Sequence, residues 1–186
     1  MKDTRLSKIV KIGIFSAVAA VFMIFFQFVL LVHMPFLKYD PSDIPALIIS
    51  FALGPFSGLA VVLVKDLLYM LLKPDIYNLI GVPMDFLASG SFVFIAGIVY
   101  HRRKTKKGAV TALLAAVFFM TVFMAVINYF IVPAYLKLFF PSFGVPAGKT
   151  LTKMIVAGII PFNLLKGILN SLATFLIYKK MSKILR

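Results

Sequence analysis

Long apolar blocks, separated by short polar or basic breaks, run through most of the chain. The first covers residues 12–32 and is interrupted only by Gly13, Ser16 and Gln27. A helix that crosses a bilayer takes about 20 mostly apolar residues, and this block meets that length. It follows a basic start (Lys2, Arg5, Lys8, Lys11), as a secretory signal would. It is too long for one, and no small-residue cleavage site follows, so a retained helix is predicted. Residues 33–43 form a polar connection. Apolar residues resume at Ile44 and break at Leu53-Gly54-Pro55-Phe56-Ser57-Gly58; further blocks cover 76–100, 109–136 and 154–178.

The stretch 44–72 admits two readings, one kinked helix followed by a loop or two short helices joined at Gly54-Pro55. Charge decides between them. With five spans and the basic N-terminus inside, His101-Arg102-Arg103-Lys104-Thr105-Lys106-Lys107 would lie outside. With six it returns to the cytoplasm, as do Lys179, Lys180, Lys183 and Arg186. Six spans put 13 of the 20 Lys and Arg in three cytoplasmic segments, leaving five in outer loops (Lys38, Lys73, Lys137, Lys149, Lys153) and two within helices (Lys65, Lys166). The positive-inside rule therefore favours six helices with both termini cytoplasmic. Their expected bounds are about 9–32, 44–53, 57–72, 77–100, 109–134 and 154–178, in one all-α transmembrane domain over 1–186. Ser42 or Asp43 is placed to cap the second helix, with Pro45 in its first turn, where a missing N–H is harmless. Lys73-Pro74-Asp75 breaks the third helix, and Pro141, Gly144, Pro146 and Gly148 mark an outer loop. The second and third helices are short, which predicts that they tilt or sit partly behind their neighbours.

Composition agrees. Hydrophobic residues reach 62% and charged ones fall to 14%, against ~45–50% apolar in soluble domains; mean hydropathy is +1.03. A soluble domain of this size still needs a polar exterior, so the chain reads as an integral membrane protein. A net charge of +14 would suggest nucleic acid in a soluble protein. Here it reads as Lys and Arg gathered near anionic headgroups, and no nucleic-acid partner is expected. The absence of cysteine excludes disulfides and thiolate metal sites. All six acidic residues are aspartate (Asp3, Asp40, Asp43, Asp66, Asp75, Asp85), so mechanisms built on paired Glu, or on a His–Glu metal site, have nothing to work with. The segment from Gly144 through Gly148-Lys149-Thr150 looks like a phosphate loop, but it has three residues between its glycines where the motif needs four, and no strand precedes it. With no catalytic dyad either, neither an enzyme nor a resident cofactor or metal is expected.

Polar groups inside spans are costly and usually face a cavity or a partner. They are Gln27, Lys65, Asp66, Asp85, Asn128, Asn163, Lys166 and Asn170. Lys166 is the most informative. It lies midway along the last apolar block, too far from either end to snorkel. Asn163 and Asn170 are three residues before it and four after, on the same helix face, and Pro161 frees a backbone carbonyl just upstream. With Asn128 in the fifth helix, these groups could line a pocket of amides and one ammonium between aromatic walls, suited to a flat heterocycle with hydroxyls. The alternative is a structural Lys166–Asp85 or Lys166–Asp66 pair, with the asparagines joining helices. Lys65 and Asp66 point about 100° apart on a helix, so they cannot simply face each other and are expected to play a structural role, packing or pairing with other helices. His33 reads as a satisfied polar tip at a membrane boundary. Asp40 and Asp43, with Lys38 and Tyr39, make the first outer loop a lid or a solvated surface. On the first helix, Gly13/Ala17 and Ser16/Ala20 are small-xxx-small pairs, for internal packing or for docking a second membrane protein.

Three segments carry a resemblance: Ser42-Asp43-Ile44-Pro45-Ala46-Leu47, Leu53-Gly54-Pro55-Phe56-Ser57-Gly58, and Gly158-Ile159-Ile160-Pro161-Phe162-Asn163-Leu164-Leu165-Lys166-Gly167. With six short helices and a basic middle loop, the chain resembles the substrate-binding S components of energy-coupling factor (ECF) vitamin transporters over essentially its whole length. Ile127-Asn128-Tyr129-Phe130 and the Pro-Phe-Asn-x-x-Lys-Gly stretch are closest to the riboflavin-specific members. The resemblance implies a high-affinity riboflavin-binding subunit in a bacterial cytoplasmic membrane, with flavin mononucleotide (FMN) as a further ligand to consider. It implies capture from the outer side, and delivery with a transmembrane coupling subunit and two cytoplasmic ATPases. It further implies Asn128, Asn163 and Lys166 as ligand-binding, Tyr39 to Asp43 as a gate, and Asp85 as a weaker contact. The small face of helix one (Gly13, Ser16, Ala17, Ala20) would be the docking surface. Three alternatives stay open: an S component for another vitamin, a stand-alone secondary transporter using Asp66 or Asp85 as a proton carrier, and a non-transporting scaffold.

Overall fold

Gly54 takes φ 108°, a backbone conformation that glycine alone adopts readily. Pro55 then occupies the first turn of the next helix, where its missing N–H costs nothing. In the computed structural model, which describes residues 5–139 and 141–185, this pair divides two helices, α2 (Asp43–Leu53) and α3 (Pro55–Leu72). The two-helix reading of the stretch is therefore the one the chain adopts. Preceding them are α1 (Arg5–Phe25) and a two-residue antiparallel ribbon, β1 (Phe28–Val29) with β2 (Lys38–Tyr39). After them come α4 (Asn78–Arg102), α5 (Lys106–Phe139), a short 3-10 turn (Pro141–Phe143), α6 (Gly148–Met154), a π-turn (Ile155–Ile159) and α7 (Ile160–Leu185). Lys2 and Arg186, used in the charge argument, lie outside the described residues, as does Asp3.

Among the described residues, five helical units are long and apolar enough to cross a membrane: α1, α3, α4, α5 and the continuous rod from α6 into α7. The exception is α2. Its 11 residues rise about 16 Å, roughly half a hydrocarbon core of ~30 Å. It is also the most enclosed element, with Asp43 and every residue from Pro45 to Phe51 buried, and it packs against α1, α3, α4 and α7. The expected second span is thus a short central helix wrapped by longer ones, which keeps its ends away from lipid.

Close packing at one end depends on two glycines. A Cβ on Gly58 would lie 2.5 Å from Ser50 Cβ and 2.6 Å from Val93 Cγ1. One on Gly97 would collide with Ser50 Oγ and sit 2.8 Å from Pro55 Cα. Ser50 Oγ donates to Val93 O at 3.0 Å, which ties α2 to α4.

Several element boundaries move from where the sequence puts them. The first helix ends at Phe25, and the rest of its apolar block turns into the ribbon; hydropathy says which residues avoid water and not which backbone they adopt. Helix α5 runs through Pro133 to Phe139, and its 34 residues exceed a bilayer thickness. The last rod begins at Gly148, inside the expected outer loop, and passes through the π-turn just before Pro161. Proline has no N–H for the carbonyl four residues back, here Ala157. The His33 ring takes that place, with Nε2 donating to Ala157 O at 3.1 Å.

Candidate functional site

Helix α7 carries Asn163, Lys166 and Asn170 on one face, and all three are buried. A buried ammonium must find carboxylates or lose its charge. Lys166 Nζ donates to Asp85 Oδ1 at 2.7 Å and Ser89 Oγ at 3.3 Å, both on α4, and lies 3.7 Å from Asp43 Oδ2 on α2. Asp85 uses its second oxygen elsewhere. Lys65 Nζ, from α3, donates to Asp85 Oδ2 at 2.6 Å and to Asp66 Oδ1 at 2.6 Å. Two ammonium groups and three carboxylates therefore form one chain of ion pairs across α2, α3, α4 and α7.

The network reaches the ribbon. Asn170 Nδ2 donates to Asp43 Oδ2 at 3.0 Å, and Tyr39 Oη donates to Asn170 Oδ1 at 2.8 Å. Burial, with Asp43 and Asp40 nearby, holds the Tyr39 hydroxyl above the usual phenol range, so it stays a neutral donor. Neither Ser42 nor Asp43 caps α2, contrary to expectation: the Ser42 hydroxyl makes no cap bond, and Asp43 turns inward to Asn170. Asp40 Oδ1 instead accepts the Ser42 N–H at 2.9 Å, an Asx turn that leads the chain into the helix.

Beside this network lies a cleft of about 150 Å³. Lys166 and Asn163 come from α7, Asp85 and Met84 from α4, and Asn128 from α5; Phe36, Tyr135 and Phe162 are its aromatic lining. Asn128 Nδ2 donates to Met124 O at 2.8 Å and Asn163 Nδ2 to Ile159 O at 2.8 Å. Each amide is anchored to its own helix, which leaves its carbonyl oxygen and second N–H for a ligand. The cleft thus offers fixed acceptors and donors, one ammonium and apolar aromatic walls. It holds no nucleophile–base pair.

Asn128, Asn163, Lys166 and Asp85 line this cleft, whereas Asn170, expected among its lining, does not. Tyr39 and Asp43 do not line it; they stand behind Lys166, through Asn170. The two readings left open for Lys166 coincide, because it pairs with Asp85 and also faces the cleft. Asp66 belongs to Lys65 instead. Lys65 does pair with another helix, through Asp85 of α4; it also meets Asp66, because a long lysine stem bends around the helix to reach its neighbour's carboxylate. On α1 the small residues divide. Gly13 and Ala17 are exposed, whereas Ser16 and Ala20 face inward, with Ser16 Oγ donating to Ile12 O at 2.8 Å. Sequence reasoning missed Lys65 and Ser89 as members of the Lys166 cluster. For Lys65 a signal existed, since a second buried cation also needs carboxylates and Asp85, already considered as a partner of Lys166, has two oxygens to offer.

A family model described as "ECF transporter, substrate-specific component" matches residues 7–178. The riboflavin transporter RibU of Staphylococcus aureus (strain TCH60) is 33% identical over 180 residues, covering 96% of this chain and 92% of that protein. RibU of Streptococcus thermophilus is 35% identical, covering 100% and 86%; the riboflavin transporter FmnP of Bacillus subtilis (strain 168) is 33% identical, covering 95% and 93%. A solved structure described as "Structure and mechanism of the S component of a bacterial ECF transporter" superposes with a TM-score of 0.80 at 32% identity, over 98% of this chain and 99% of that one.

Proposed function

Because the chain belongs to the substrate-specific components of ECF transporters, a family of membrane transport proteins and not of enzymes, we propose that it is the riboflavin-binding subunit of an ATP-driven importer. The observation that carries this is the convergence of Lys166, Asn163 and Asn128 on one aromatic-walled cleft. Riboflavin has a flat ring with carbonyls and one imide N–H, and a polyhydroxyl tail. Fixed amides suit the imide edge, Lys166 suits a carbonyl or hydroxyl, and Phe36, Tyr135 and Phe162 suit the ring faces. The cleft is smaller than the ~300–1,000 Å³ of most ligand pockets, so admitting a whole flavin requires the first outer loop, around Tyr39 to Asp43, to shift outward as the gate, together with Phe36, Leu37 and Lys38, which precede it and line the cleft. A proton-carrier cycle on Asp85 fits less well, since it would have to break two ion pairs at 2.6 and 2.7 Å.

In this reading both termini are cytoplasmic, α2 takes the chain back to the inner side of the bacterial cytoplasmic membrane and α3 returns it to the outer side, and the cleft opens outward. A transmembrane coupling subunit and two ATPases supply the energy for release. Gly13 and Ala17 are the part of the small face left exposed for docking, with no atom within 4 Å of a Cβ built on Gly13. Gly13→Leu should keep flavin binding and lose co-purification with the coupling subunit; a variant that still co-purifies in full would remove α1 from the interface.

The absorbance spectrum of detergent-purified protein, taken before any ligand is added, tests the ligand. Flavin bands near one equivalent per chain are expected. A colourless preparation that also fails to quench added riboflavin fluorescence would exclude the flavin, and FMN and other vitamins would be tried in its place.

A further inference from the structure

Lys65 lies fully buried on α3 and outside the cleft lining. Its Nζ nevertheless donates to Asp85 Oδ2 at 2.6 Å, on the far side of the carboxylate from Lys166. Asp66 Oδ1 at 2.6 Å and Met23 Sδ of α1 at 3.6 Å complete its surroundings. Asp85 therefore has one oxygen committed to each lysine, Oδ2 being shared between Lys65 and a longer bond of 3.2 Å from the Ser89 hydroxyl of its own helix. A carboxylate held by one cation alone can turn about its terminal torsion, which is broad and weakly restricted. Held at both oxygens, it has a fixed plane.

The second consequence is electrostatic. Lys166 is aimed at the cleft by Asp85, and a carboxylate that answered to Lys166 alone would compete fully with a ligand for its N–H donors. Lys65 takes part of that charge, in an interior where such interactions are strong.

We propose that Lys65 is a positioning residue for the ligand site. By holding Asp85 Oδ2, it fixes the carboxylate that orients Lys166, and it keeps the Lys166 ammonium available to the ligand without touching the ligand itself. This rests on the reading of the cleft as the riboflavin site.

Removing Lys65 alone would strand both Asp66 and Asp85 in the interior. The double replacement K65M/D66N removes one cation and one anion together and preserves the balance of the cluster. Riboflavin fluorescence quenching is titrated for wild type, K65M/D66N, D85N and the triple variant, alongside ligand-free thermal melts. K65M/D66N should weaken affinity about 10- to 100-fold, the scale seen when residues that orient metal ligands are lost. In the D85N background the same pair should change affinity by no more than about threefold, because the group it positions has gone. Packing damage would instead lower affinity equally in both backgrounds, and that result overturns the role. K65Q/D66N, which keeps the same charge balance with a shorter neutral side chain, is measured in the same two backgrounds, and wild-type affinity in it also overturns the role. Wild-type protein that does not quench riboflavin overturns the cleft reading and this role together; wild type that binds while the variants match it overturns the role of Lys65 alone.

Discussion

Replacing Lys166 with methionine should weaken riboflavin binding by about 1.5–3 kcal/mol, roughly 10- to 150-fold, the value of a hydrogen bond that carries charge. Methionine keeps much of the stem packing and removes the ammonium. The ligand loses a donor, and Asp85 Oδ1 loses a partner at 2.7 Å. Asp43 loses the cation 3.7 Å away, while its Oδ1 already has no hydrogen-bond partner. Leaving carboxylates uncompensated in the interior costs about 3–5 kcal/mol of stability, so the ligand-free melting temperature should fall as well. The two effects separate by titrating well below that temperature. Asn163→Ala is the companion variant: it strands no charge, so it should lose about 1–3 kcal/mol of binding with a smaller change in melting. Unchanged affinity in both would move the ligand out of this cleft.

Gly97→Val should be among the most damaging uncharged substitutions in the fold. Its Cβ would collide with Ser50 Oγ and lie 2.8 and 2.9 Å from Pro55 Cα and Cβ. The atoms in the way include backbone at the α2–α3 turn, which a side-chain rotation cannot move aside. Overpacking of this kind costs about 1–3 kcal/mol and sometimes more, and here it would also part Ser50 from Val93 O. A melting temperature well below wild type in detergent is the expected result. Gly13→Ala is the control. Nothing lies within 4 Å of its added Cβ, and alanine is the better helix former by about 0.5–1 kcal/mol, so it should melt at or slightly above wild type. A Gly97→Val protein that melts with the wild type would mean that α2, α3 and α4 do not approach this closely.

The membrane class, the division of residues 44–72 into two helices and the shared face of Asn163, Lys166 and Asn170 were legible in the residues. Solvation explains this. Blocks of apolar residues cannot be hidden in water at this length, and an ammonium midway along one of them must face something polar, whatever the fold. Asn163, Lys166 and Asn170 share a face through helical spacing alone, and Gly54-Pro55 marks a break by backbone geometry, which the distribution of Lys and Arg then resolves into two helices. Local chemistry decided these features, so local reading recovered them.

Tertiary structure decided which buried charges meet. Asp85 lies 20 residues from Lys65 and 81 from Lys166 along the chain, and no periodicity links positions so far apart; only the packing of α3, α4 and α7 brings them together. The same holds for His33, which serves a carbonyl 124 residues away, and for Tyr39, whose partner Asn170 is 131 away. The burial of α2 is also a tertiary fact, since its composition suits a lipid-facing helix equally well and only its neighbours enclose it. Chain-local patterns specify what each segment must avoid or satisfy. Which distant group satisfies it depends on three-dimensional placement, because a buried polar atom accepts whatever partner the packing delivers within hydrogen-bond reach.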